Sequence, residues 1–181
     1  MSSVIIAGDT SGSITIAAPA AAGTNTITMP ASTGTMALTS DVPDNVLNTY
    51  ATFVNSTEKV TVSATAATGT INYDTNTQSV VYYTSAAVGD WTINFRASSG
   101  ATLNSVMATG EAITLVHLVT LTGSEYRNTV VQVDGSSITP EWQGGSAPTA
   151  GNTNSIDSYS YNIIKTGDAA FTILAALTQF A

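Results

Sequence analysis

Tyr159-Ser160-Tyr161-Asn162-Ile163-Ile164-Lys165-Thr166-Gly167-Asp168-Ala169-Ala170-Phe171-Thr172-Ile173-Leu174 is the stretch whose reading decides the fold class. Tyr159, Tyr161 and Ile163 alternate with Ser160 and Asn162, the period of a half-buried strand. Lys165-Thr166-Gly167-Asp168-Ala169 then supplies the chemistry of a tight hairpin turn, and the chain returns through Phe171 and Ile173. The apolar run continues to Phe180 and Ala181. Frayed ends rarely keep such an apolar tail, so this last run is expected to be paired. These features imply a β domain with its closing strand built into a sheet.

Working outward, the same signals recur at short intervals. Strands are predicted near 58–63, 69–74, 78–84, 90–97, 111–121, 127–133, 159–166 and 170–176, with a short one at 137–142. Gly69, Asp74-Thr75-Asn76, Gly89-Asp90, Ser99-Gly100, Gly123, Asp134-Gly135 and Gly167-Asp168 provide the turns. Residues 144–155 are too rich in Gly, Pro, Asn and Ser for a strand and read as a long surface loop. Evenly spaced short strands without helical insertions predict a mainly β fold, an antiparallel β-sandwich or jelly-roll-like head.

Composition agrees. Only 9% of the 181 residues are charged, against roughly a quarter in ordinary soluble domains. Thr and Val suit pleated, half-buried surfaces. Four basic and twelve acidic residues give a formal charge of −8, which disfavours phosphate recognition and therefore nucleic acid. No cysteine is present, so disulfides and thiolate metal sites are excluded. No apolar run has the length of a membrane span, so no membrane insertion is expected. No basic region precedes an apolar core at the N-terminus, so no secretion signal is read there.

Residues 1–40 differ from the rest: they hold no aromatic residue and a single charged one, Asp9. Two alternating runs, Ser13-Ile14-Thr15-Ile16 and Thr26-Ile27-Thr28-Met29, flank Ala-Ala-Pro-Ala-Ala-Ala-Gly at 17–23. Two such strands bury too little to stand alone in water. Either the segment is a polar tail, or it is an extended β arm that gains order against other copies or a partner. Placing Ile14, Ile16, Ile27 and Met29 at alternate positions points to the arm, with those four side chains as its anchoring and oligomerisation contacts. Residues 41–56 read as a joint. Ser40 or Asp41 caps a short helix, Pro43 lies in its first turn, and Val42, Val46, Leu47, Tyr50 and Phe53 share a face. A strand starting near Tyr50 is the competing reading. Residues 57–181 form the head.

Candidate sites are few. His117, the sole histidine, shares a strand face with Ile113, Leu115, Val119 and Leu121, which suits a core or interface histidine with a satisfied ring. No G-x-S-x-G elbow accompanies it, and one His without Cys makes a zinc site improbable. Asp74, Asp90, Glu111, Glu125, Asp134, Glu141, Asp157 and Asp168 are scattered. Two carboxylates suffice for glycoside hydrolysis, but most of these acids stand beside turn residues and read as turn formers. Trp91, Ile93 and Phe95 share a core face. Trp142, beside Gln143-Gly144-Gly145, either stacks on a sugar ring or plugs the end of the sandwich; with Asn152 it is the candidate ligand contact. Tyr82, Tyr83, Tyr159 and Tyr161 suit a subunit interface.

The segment from Val133-Asp134-Gly135 through Trp142-Gln143-Gly144-Gly145, Pro148 and Gly151-Asn152 to Tyr161-Asn162-Ile163-Ile164-Lys165-Thr166 resembles the C-terminal region of virion structural proteins of tailed bacteriophages. The likeness is to tail-fibre-like and surface proteins. The stretch Gly12 to Pro30 is similar to segments of the same class, and the two together cover roughly half the chain. The resemblance implies a homotrimeric virion component without a cofactor, and it carries over no functional residues. The chain departs from long fibres in lacking a repeat that could form a shaft.

The function expected from sequence is therefore non-enzymatic. The protein would be a structural subunit on the exterior of a phage particle, assembled in the host cytoplasm. It would trimerise and dock on other virion proteins through its arm, as a capsid decoration (cement) protein or a short tail fibre or spike. The alternative is a receptor-binding module that recognises a host surface glycan. An enzyme such as a depolymerase is the third and weakest reading.

Overall fold

A computed structural model describes residues 3–7, 11, 13–17, 58 and 60–180. The chain divides into two units, Met1–Thr52 and Phe53–Ala181. In the first, β1 (Ser3–Ala7) pairs antiparallel with β2 (Ser13–Ala17), setting Ile6 opposite Ile14 and Val4 opposite Ile16. The strand expected at 13–16 is thus β2. Its partner is the unbroken apolar run Val4-Ile5-Ile6, which carries no alternation to mark it as a strand. The second arm run, with Ile27 and Met29, and the joint helix expected within 41–56 lie outside the described residues.

The second unit begins with six strands that alternate between two sheets. They are β3 (Val60–Ala66), β4 (Gly69–Asp74), β5 (Val80–Ser85), β6 (Trp91–Arg96), β7 (Ala112–Leu121) and β8 (Asn128–Val133). β3, β5 and β7 lie side by side and parallel in one sheet; β4, β6 and β8 do the same in the other. Each pair of consecutive strands makes one rung, and the rungs stack in register. Tyr73 stands beside Phe95 and Phe95 beside Val133, while Thr61, Val81 and His117 form the matching row opposite.

The main correction to the sequence reading lies in this pairing. A mainly β, two-sheet head is present, but its coil is parallel rather than antiparallel. A turn signal marks reversal of the chain. It does not say whether the returning strand bonds beside its predecessor or crosses to the opposite sheet. Here small residues at the corners allow the crossing. Ala67 and Ala87 are buried, and the corners bond to one another: Val88 N–H donates to Ala67 O at 3.2 Å and Ala87 N–H to Thr120 O at 2.9 Å.

Antiparallel pairing takes over afterwards. β9 (Ser136–Ile138) folds back on β8 through Asp134 and Gly135, whose φ angles of 52° and 81° are those of the tight hairpin turn that Asp-Gly favours. β10 (Glu141–Trp142) enters the other sheet, so the single strand expected at 137–142 is two strands in different sheets. The loop that follows ends at Ser155, where β11 (Ser155–Gly167) begins, and β12 (Ala170–Phe180) completes the long hairpin anticipated at Lys165–Ala169. The result is a six-stranded sheet ordered β10-β12-β11-β7-β5-β3 and a four-stranded sheet ordered β4-β6-β8-β9.

The core between the sheets is aromatic. Trp91, Ile93 and Phe95 are buried as expected. Tyr159 and Tyr161, expected at a subunit interface, are buried as well, stacked 6.4 Å apart at an interplanar angle of 9°. Phe95 meets Tyr161 edge-on at 5.0 Å, and Trp91 meets Tyr159 at 5.6 Å. Each fully buried large side chain contributes about 1.5–3 kcal/mol, so these two rows hold the sheets together. Tyr83 packs half-buried against the same core.

The described helix, α1 (Leu103–Val106), belongs to the head. Thr102 caps it by accepting Ser105 N–H at 3.1 Å. Asp134 accepts Leu103 and Asn104 N–H at 2.6 and 2.9 Å. At the other end Lys165 Nζ donates to Asn104 O and Met107 O at 2.6 and 2.8 Å. One turn of helix is far too short to persist alone; these tertiary contacts hold it.

Candidate functional site

Trp142 lies where β10 joins the rim of the six-stranded sheet, with the 3-10 turn Gln143–Gly145 directly after it. β10 runs parallel to β12 with Trp142 opposite Ala175. The buried side of this pairing turns the indole inward, where it meets Tyr159 and Tyr161 edge-on at 6.4 and 6.3 Å. Trp142 thereby closes the end of the aromatic core, the plug of the two sequence readings. It also stays partly open to solvent and lines two depressions. One, of about 470 Å³, includes Gln143, Ser160, Asn162 and Leu174. The other, of about 460 Å³, includes Arg127, Thr129, Pro140 and Pro148.

Asn152 borders neither depression. Its backbone N–H donates to Asp157 Oδ2 at 3.1 Å, and its carbonyl accepts from Ser155 Oγ at 2.5 Å. The two candidate ligand residues are therefore not brought into one site. Asn152 instead helps shape the start of β11. Of the arm residues, Ile14 and Ile16 lie on β2, opposite Ile6 and Val4.

His117 is fully buried among Tyr83, Trp91 and Tyr159, with ring centroids 5.3, 5.7 and 6.4 Å away. It is a core histidine, but the expectation of a satisfied ring does not hold: Nδ1 and Nε2 both lack a hydrogen-bond partner, as does the neighbouring Trp91 Nε1. Burial away from water disfavours the charged ring and lowers its pKa from 6.5 to about 3. The imidazole is neutral at physiological pH and touches no nucleophile.

Several acidic side chains bind groups of the head itself. Asp74 pairs with Arg96 at 2.5 Å at the ends of β4 and β6. Asp90 accepts Arg127 N–H at 3.0 Å, Glu111 accepts Ala108 N–H at 2.8 Å, and Asp168 accepts Asn104 Nδ2 at 3.0 Å. Asp157 is buried, and that burial raises its pKa against the hydrogen bonds from Asn152 and Ser155. Among the described residues no three His, Asp or Glu side chains gather as metal ligands.

Two arrangements had little signal in the sequence. Asn94 donates to Asn72 Oδ1 at 2.9 Å from the register-matched position on the next rung, and its own Oδ1 accepts Gly135 N–H at 2.8 Å. Lys165 reads as a turn lysine, yet it is buried beneath α1. Recognising either requires knowing which strands are neighbours. The depressions beside Trp142 are shallow and each carries one charged residue, Glu141 in the first and Arg127 in the second. The chain matches no protein-family model, no curated protein and no solved structure.

Proposed function

We propose that this protein is a non-enzymatic structural subunit of the exterior of a tailed-phage particle. In this reading it self-assembles, as a trimer, and docks on other virion proteins through its N-terminal arm, as a capsid decoration protein or a short fibre or spike. The observation that carries it is the contrast between the chain's two units. The head is a stacked coil with a buried aromatic core. The first unit contains a two-stranded ladder of five residues a side, a size that is marginal in water without further packing. Strand addition to a neighbour supplies that packing through main-chain hydrogen bonds and needs no charge. The use of Asp90, Glu111 and Asp134 to hold backbone N–H groups, and of His117 in the core, supports a non-catalytic role.

Deleting residues 1–38 tests the docking role. The truncated chain is expected to keep the β-sheet circular dichroism of the head and to be absent from purified particles. Normal loading of the truncated chain would overturn the proposal.

A second reading, recognition of a host glycan, is favoured by one observation: Trp142 stands beside Gln143, Ser160 and Asn162 around a shallow depression. Aromatic faces with neighbouring amides suit sugar rings. Asn162→Ala and Gln143→Ala are expected to weaken adsorption to host cells without altering the melting temperature; unchanged adsorption removes this reading.

A further inference from the structure

We infer that the outer face of the six-stranded sheet is a self-association surface on which further copies of this chain seat. The inference deepens the reading of the protein as a self-assembling subunit and rests on it for the identity of the partner. The face itself is identified from the register of the strands.

The two outer faces of the head differ. A sheet face turned to water normally carries polar side chains. The four-stranded sheet largely follows this rule with a row of Asn72, Asn94 and Gln132, a row of Thr70 and Thr92 that ends on Val130, and the Asp74–Arg96 pair. The six-stranded sheet departs from it on β3, β5 and β7. Val60, Val80 and Val116 form one outward row, and Val62, Tyr82 and Leu118 form the next. β11 then turns Ser158, Ser160 and Asn162 to the same side, and beyond it Leu174 and Phe180 stand exposed on β12. Of the seven large apolar side chains exposed among the described residues, Val60, Val62, Leu174 and Phe180 all lie on this face, and Val62 is 64% exposed.

Charge indicates the partner. The chain carries a formal charge of −8, so two identical copies repel wherever their acids meet. β3, β5, β7, β11 and β12 place no charged side chain on this outer face; its sole acid is Glu141, on the far edge strand β10. Like copies can meet here without like charges opposing. Extent fits as well. Five strands about 4.8 Å apart and some seven residues long span on the order of 600 Å² in plan, most of the roughly 800 Å² per partner of a standard interface. Its mixture of apolar and uncharged polar side chains matches interface composition, which is roughly 56–58% apolar by area. Three such faces turned toward a common axis would each cover part of the two others, which is how one patch serves a trimer.

The test uses the full-length protein and sedimentation velocity over a wide concentration range. Wild type is expected to associate. Val62→Glu and Leu118→Glu should each weaken association at least tenfold, whereas Val130→Glu, on the outer face of the other sheet, should not. Unchanged circular dichroism and melting temperature certify folding. Because the chain has no cysteine, Val62→Cys offers an independent reading that needs no charge inserted. Its alkylation by a neutral maleimide should slow as protein concentration rises, while that of Val130→Cys should not.

Association unchanged by Val62→Glu and Leu118→Glu would overturn the inference. A thiol at position 62 equally reactive at all concentrations would overturn it too, and one unreactive even in dilute monomer would show the chain covering its own face. The wider proposal fails separately. If Ile14→Asp and Ile16→Asp dissociate the protein while the face variants do not, the arm assembles it and only the face inference falls. A wild-type monomer that still loads onto particles overturns both the face inference and self-assembly, and leaves only docking through the arm.

Discussion

Asp134 accepts the backbone N–H of Leu103 at 2.6 Å, closing the first turn of α1 from a hairpin 31 residues further along the chain. The same carboxylate takes Asn104 N–H, while Thr102 takes Ser105 N–H. Asp134 itself sits at φ 52°, a conformation that Asp tolerates better than most residues. Asp134→Ala should therefore destabilise the head by about 2–4 kcal/mol through two lost cap bonds and a strained backbone, and Asp134→Asn by roughly half as much, since it keeps the backbone tolerance. Urea unfolding measures both. Lys165→Met frees the carbonyls at the other end of α1, so the double variant should be non-additive by more than about 0.5 kcal/mol.

Stability should fall in acid because of His117. Its folded pKa, about 3, lies below the ordinary 6.5, so between those values the unfolded chain binds the extra proton. The contribution is fully present above pH 6.5 and is lost as pH falls toward 3, at up to about 1.4 kcal/mol per pH unit. Asp157 acts in the opposite sense: burial raises its pKa, so its contribution fades as pH rises through the folded value. His117→Phe should flatten the acid limb of a plot of melting temperature against pH. It should also leave neutral-pH stability equal or higher, since neither ring nitrogen has a partner to lose. An acid limb unchanged in the variant would contradict this.

Gly151 is required by space. Its N–H donates to Glu125 O at 2.9 Å, and a Cβ there would overlap Tyr126 O and approach Leu121 Cδ1 to 2.6 Å. Gly151→Ala should cost more than about 2 kcal/mol, the scale of overpacking against a backbone that cannot yield. A calorimetric melt within a degree of wild type would refute the close approach.

Trp142→Ala should lower the melting temperature, contrary to what a solvent-exposed sugar platform would do. Its indole closes the core on Tyr159 and Tyr161, and truncation of such an aromatic costs about 2–4 kcal/mol. Trp142→Phe should recover much of the loss. An unaltered melt in the alanine variant would mean that Trp142 does not pack on the core.

The strands were legible because their side chains alternate. Trp91, Ile93 and Phe95 announce a core face by spacing alone, and all three are buried. β11 begins at Ser155 rather than near Tyr159 because Ser155 and Asp157 look like loop residues. Both in fact point inward and bond locally, Ser155 Oγ lying 3.4 Å from Asp157 Oδ1. The four tyrosines illustrate a different limit. Alternation puts Tyr159 and Tyr161 on one face, but it does not say whether that face meets another sheet or another subunit; of the four, Tyr82 takes the outward position. The candidate pair Trp142 and Asn152 looked like one site because both stand in turn-rich sequence. The loop between them leads one to the rim of the sheet and the other to the foot of β11.

By itself the sequence determined that this is a β protein, roughly where each strand of the head lies, and which side of most strands seeks the core. Side-chain alternation and turn residues act over a few positions, and those signals survive without knowledge of the whole. Tertiary structure alone decided that consecutive strands cross between sheets and stack in parallel, that Lys165 is interior and the His117 ring without partners, and that one broad face carries a single acid at its edge. Each of these depends on which distant strands become neighbours, and that choice is made by the burial of the assembled core rather than by any local run of residues.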